Sequence, residues 1–129
     1  MSTHCGIAVK TEKGYETIYC HNDGYESYMY PMLTQNYNTE ELAKKLVSFG
    51  DASYIDKLLE PTFDFHKFNT PEPNVSMFYH RDRGECWEQN APQVFTKTTL
   101  VNDFYYAYIW EDGQWNAYKN GRKIAVRAD

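Results

Sequence analysis

The chain has 129 residues and a formal net charge of −5, with a pI near 5.3. At 42% apolar and 24% charged, it reads as one folded domain over residues 1–129, long enough to bury a core without staples. The acidic balance argues against direct binding to nucleic acid or to an anionic membrane, both of which reward basic patches. It suits a basic partner surface, such as the nucleic-acid groove of another protein. No apolar run is long enough to cross a bilayer.

Aromatic content is the compositional outlier: twelve Tyr, seven Phe and three Trp, 17% of the chain. Tyrosine joins a large apolar body to a polar tip, so an excess fits a half-exposed binding face. A β-rich core with Tyr at its edges accounts for it equally well. The three cysteines are Cys5, Cys20 and Cys86. An odd count behind a start with no basic or apolar leader pattern predicts reduced thiols and a cytoplasmic protein.

In chain order, 6–11 and 15–20 read as two strands of a hairpin around Glu12-Lys13-Gly14. Pairing them brings His4-Cys5 towards Cys20-His21, which has the look of a zinc set. The pleat counts against it, because neighbouring residues point to opposite faces; buried thiols and no metal are expected. The strand ends at Cys20-His21-Asn22-Asp23-Gly24-Tyr25, where polar side chains can gather at a rim. Tyr25, Tyr28, Met29, Met32, Leu33 and Tyr37 share one face of a helix over 24–37, interrupted by Pro31 or starting near Tyr30 so that Pro31 falls in its first turn.

A second helix follows, capped by Asn38 or Thr39, with Leu42, Leu46 and Phe49 buried, Lys44 and Lys45 wet, and Gly50 as its stop. Residues 51–59 suggest a short helical turn. The stretch 61–74 holds three prolines and is irregular, tethered by Phe63, Phe65, His66 and Phe68. Residues 75–79 read as a strand, 86–92 as loop, and 94–101 as β-prone. The last third is a β-meander: 104–110, a turn at Asp112-Gly113, 115–118, a turn at Asn120-Gly121, then 122–126. Asp-Gly and Asn-Gly are strong hairpin signals because type I′ turns need positive φ. The expected fold is α+β, a mostly antiparallel sheet with two helices on one face.

No catalytic signature is present. His80-Arg81-Asp82 lacks every other part of a kinase, and the Gly-x-Ser-x-Gly elbow, the P-loop and the dinucleotide fingerprint are missing. No cofactor is therefore expected. A cysteine nucleophile at Cys20 or Cys5 would need a histidine within hydrogen-bond reach, and Cys20 and His21 point apart on a strand. The remaining polar residues are His21, Asp23 and Tyr25 together with His80, Arg81, Asp82, Arg83 and Glu85. Both segments follow strands. Converging on one rim, they would offer acid, base and phosphate-holding groups; otherwise the second is a surface ion-pair patch.

Four blocks carry a resemblance: 19–25, the helix ending in Asn36-Tyr37, Phe49-Gly50-Asp51-Ala52-Ser53, and His80-Arg81-Asp82-Arg83-Gly84-Glu85. In order and spacing they are similar to a group of small phage and prophage proteins with no assigned activity. The chain departs from that pattern at Tyr28-Met29-Tyr30-Pro31-Met32, where glycine-rich residues usually stand. The resemblance implies an accessory protein of the host cytoplasm. Such a protein would bind and inhibit a host protein, as an anti-CRISPR or other anti-defence factor does, by covering a nucleic-acid-binding surface. The alternative is a small-molecule or nucleotide site, or an enzyme, on the His/Asp/Arg rim.

Overall fold

A computed structural model describes residues 3–64, 66–67 and 69–124. Its elements run β1 (Cys5–Thr11), β2 (Gly14–Cys20), α1 (Glu26–Asn36), α2 (Glu40–Ser48), β3 (Ala52–Tyr54), β4 (Met77–Phe78), α3 (Tyr79–Arg83), α4 (Trp87–Asn90), β5 (Gln93–Phe95), α5 (Lys97–Asp103), β6 (Tyr106–Glu111), β7 (Gln114–Lys119) and β8 (Arg122–Ile124). One sheet takes them all in the order β4-β3-β2-β1-β6-β7-β8, with β5 also pairing β2.

The fold is α+β, but the sheet is mixed rather than mostly antiparallel. β1 runs parallel to β6, and β2 pairs β3 in parallel through Cys20 and Ala52. The N-terminal hairpin and the meander β6-β7-β8 are antiparallel. Asp112 and Gly113 have φ of 59° and 76°, and Asn120 and Gly121 have 53° and 81°, the left-handed pairs that the two-residue turns require. Ala125 and Val126 of the last predicted strand, and the predicted tethers Phe65 and Phe68, lie outside the described residues.

Strand β1 sits mid-sheet and is buried on both faces, which its unbroken apolar run Cys5–Val9 anticipates. Cys5, Ile7 and Val9 join Ile18, Cys20, Tyr108 and Trp110 in the main core, with Met29 and Leu33 of α1 and Ala43, Leu46 and Val47 of α2. Ala8, Ala107 and Ile109 point the other way, onto Leu100 of α5. The buried stripe of α2 is thus Ala43, Leu46 and Val47; Leu42 and Phe49, expected inside, are half-buried. Thr39 caps this helix by accepting from Leu42 N at 3.1 Å. Pro31 lies within α1, where it removes a bond to Ser27, whose position is exposed enough for water to replace it.

Three further expectations are corrected. Residues 52–54 form a strand, because pairing with β2 and β4 outweighs weak local helicity. The β-prone 94–101 splits into β5 and the helix α5, since Thr96 accepts from Thr99 N and starts a helix that buries Leu100. The charged 80–83 segment and the 87–90 loop are helical.

Tyrosine is divided between the core and the surface. Tyr108 is fully buried and donates to Gly24 O at 2.7 Å. Tyr28 donates to Ile55 O at 2.8 Å, and Tyr37 to Asp56 O. These hydroxyls tie loops to the core. Tyr25 and Tyr105 are exposed, at 37% and 55%.

On the α5 side, Glu111 accepts from the Tyr15 hydroxyl and from Lys97 Nζ at 2.9 Å, with Lys10 at 3.8 Å. Burial pulls its carboxyl upward, yet these bonds and charges outweigh burial and hold it below the usual carboxylate range. The stability this site contributes is complete above the unfolded value of about 4.3 and is lost as pH falls through the lower folded one. Urea midpoints measured between about pH 5 and pH 3 are expected to fall less steeply for Glu111→Gln than for the parent. Parallel curves would show that the carboxylate is not held as described.

Candidate functional site

The pleat separates the two dipeptide pairs at the end of the hairpin. Cys5 and Cys20 face each other across the strands, fully buried on the core side. Burial and the neighbouring Cys20 push the Cys5 thiol up, which suits packing rather than nucleophilic attack. On the opposite side His4 and His21 lie with ring centroids 4.6 Å apart. Tyr19, between them, places its hydroxyl 2.9 Å from His4 Nδ1 and 2.7 Å from His21 Nδ1.

Proton positions follow from one carbonyl. His4 Nδ1 also lies 2.9 Å from His21 O, which can only accept, so Nδ1 carries the proton. The Tyr19 oxygen then accepts from His4, and its own proton goes to His21 Nδ1. Burial, with the charges of Cys20, Asp51 and Cys5, raises the Tyr19 phenol, so it stays protonated for this task.

The rest of the first predicted segment continues the rim. Gly24 N donates to Thr3 O at 2.8 Å. Asp23, at φ 59°, and the N-cap residue Tyr25 are exposed beyond it. The parallel pairing of β1 with β6 sets Gly6 beside Ala107 and so draws Phe104, Tyr105 and Tyr106 to the same end of the sheet. Gly6 leaves room for the Phe104 ring, which a Cβ there would meet at 2.7 Å. Thr3, His4, Tyr19, Asp103, Phe104, Tyr105 and Tyr106 enclose a groove of about 450 Å³.

The second predicted segment divides. Arg81 and Asp82 turn inward. Arg81 Nε and Nη2 grip the two Asp82 oxygens at 2.8 and 2.9 Å, Nη2 reaches Ser76 O at 3.1 Å, and Nη1 bonds Leu59 O. Its guanidinium lies 5.1 Å from the ring centres of both Phe49 and Phe78. Asp82 also accepts from Phe78 N at 2.8 Å, with His66 Nε2 at 3.5 Å. His66 accepts from Glu72 N at 2.9 Å. This buried network, with the Glu72 carboxylate on Thr62 and Phe63, holds the irregular 59–76 stretch. The predicted aromatic tether Phe63 is half exposed.

His80, Arg83 and Glu85 remain outward. His80 Nδ1 bonds Glu85 O at 2.8 Å, and its ring meets Trp87 edge-on. Arg83 pairs Glu85 at 3.0 Å and lies 4.8 Å over the Tyr79 ring. β3 stands between β2 and β4, so the ends of the two segments are about 10 Å apart by sheet spacing. Burial raises the Tyr79 phenol, and the charge of Tyr19 adds to the effect.

Among the described residues, no group of three or more His, Cys, Asp or Glu is placed to hold a metal ion, and no helix is long and apolar enough to cross a membrane. Sequence reasoning placed His4 beside His21 but gave no role to Tyr19, Asp103, Tyr105 or Tyr106. The parallel β1–β6 pairing that collects the last three leaves no local signal.

Comparison with protein-family models, curated proteins and solved structures finds no match to this chain.

Proposed function

We propose that the chain is a non-enzymatic binding protein that attaches to a host protein and inhibits it by covering a nucleic-acid-binding surface, as an anti-CRISPR or other anti-defence factor would. The observation that carries this reading is the composition of one end of the sheet. There the exposed carboxylates of Asp23 and Asp103 alternate with the exposed rings of Tyr25 and Tyr105. Negative charge beside flat aromatic faces is what a basic groove built for nucleic acid accepts. The inward-turned Arg81 and Asp82 support it too, since a phosphate at that rim would compete with bonds that hold the fold.

A second reading, a small-molecule or nucleotide site, is favoured by the His4–Tyr19–His21 hydrogen-bond chain beside the groove. The two separate experimentally. In the first reading, a partner captured from the lysate of a phage-sensitive bacterium binds nucleic acid, is released by salt and competes with added DNA or RNA. Asp23→Lys with Asp103→Lys slows its association, whereas His21→Ala leaves it intact. Capture that ignores both salt and nucleic acid, or that His21→Ala alone abolishes, overturns the first reading.

A further inference from the structure

We infer that the groove between His4, Tyr19 and Tyr105 receives an arginine side chain of the partner protein. This rests on the proposal that the partner is a basic protein surface, and it names the contact that anchors it.

The lining decides the ligand class. Four of its seven residues are aromatic, one is a carboxylate, and none is Lys or Arg. Its volume of about 450 Å³, in an open groove, has room for a side chain. Its one carboxylate is Asp103, and the hydroxyls of Thr3 and the tyrosines can accept as well as donate. An anion finds little to bind there. Guanidinium is planar, carries five donors and no acceptor, and stacks on aromatic faces.

The adjoining position shows the same arrangement filled by this chain's own cation. Lys119 lies 5.6 Å over the Tyr106 ring and pairs with Glu26 at 3.5 Å. Tyr105, edge-on to Tyr106 with ring centroids 4.9 Å apart, repeats the ring, and Asp103 repeats the carboxylate. Among the described residues no ion pair occupies Asp103, and Tyr105 is 55% exposed. Lys119 also acts on Tyr105, so the Asp103 carboxylate, which no described cation pairs, is what makes this position complementary to a cation from outside. Arginine fits better than lysine because its planar guanidinium can stack on a tyrosine ring while it donates to a carboxylate.

The test is an NMR titration of the intact chain with the peptide Gly-Arg-Gly and its citrulline counterpart, which keeps the shape and loses the charge. Signals of residues 103–106 and of the His4 ring are expected to shift saturably with the arginine peptide. The citrulline peptide should bind about tenfold more weakly, and Asp103→Asn and Tyr105→Ala should each cost about five- to tenfold, the range of a partly desolvated cation–π contact. Phe63→Ala, exposed and outside the groove, should change nothing, and unchanged signals elsewhere report an intact fold. Equal binding of the citrulline peptide overturns the inference, as does a larger response to adenosine monophosphate at the same signals. Arginine binding alongside salt-insensitive lysate capture would sink the proposed function and spare the groove. Salt-sensitive capture without arginine binding would do the reverse.

Discussion

Alanine at position 82 is expected to lower stability by about 3–5 kcal/mol, the cost of leaving a buried ion pair half-made. Asp82 is 3% exposed and answers both forks of Arg81. Without it, Arg81 keeps its charge between two phenylalanine rings, and Phe78 N loses its acceptor at the point where β4 becomes α3. His66 loses its carboxylate neighbour at the same time. Asp82→Asn should be milder, since an amide oxygen can still accept from Phe78 N. Urea denaturation of the two variants measures the difference. A loss under about 1 kcal/mol for alanine, as at an exposed pair, would mean that the network is a surface ion-pair patch after all.

Leu46→Ala is expected to cost about 2–5 kcal/mol, because the side chain is wholly buried and its neighbours cannot close the gap. Leu46, with Ala43 and Val47, forms the buried face of α2 in the main core that also holds Ile7 and Val9 of β1. Leu42, one turn earlier and only half-buried, should lose clearly less on the same substitution. Similar midpoints for the two would show that α2 is rolled relative to the packing described. Both predictions concern stability, so either variant should keep its groove chemistry while folded.

What the sequence revealed was local. Asn38 or Thr39 ahead of two glutamates and an apolar stripe marked α2, and Asp-Gly and Asn-Gly marked the meander. The misreadings came where a local preference competed with something distant. Thr98, Thr99 and Val101 favour strand, yet a threonine cap and the socket for Leu100 make a helix of them. Asp82 reads as one charge in a surface run, but a single helical turn is enough to point it at Arg81 and away from water. The candidate groove was half legible. Hairpin register alone puts His4 beside His21, whereas Asp103, Tyr105 and Tyr106 arrive through a parallel pairing that no turn announces.

That pairing also sets an order of assembly. β1 is synthesised long before β6, one of its two neighbours: Gly6 waits for Ala107. The hairpin can close early, but its inner edge stays open, apolar and able to pair with another chain until β6 has left the ribosome. Contacts this distant in sequence slow folding. A chain that stops before Tyr106 keeps every residue of the early hairpin and both main helices and still cannot complete the sheet. Loss of its last third therefore points towards aggregation rather than towards a smaller working domain.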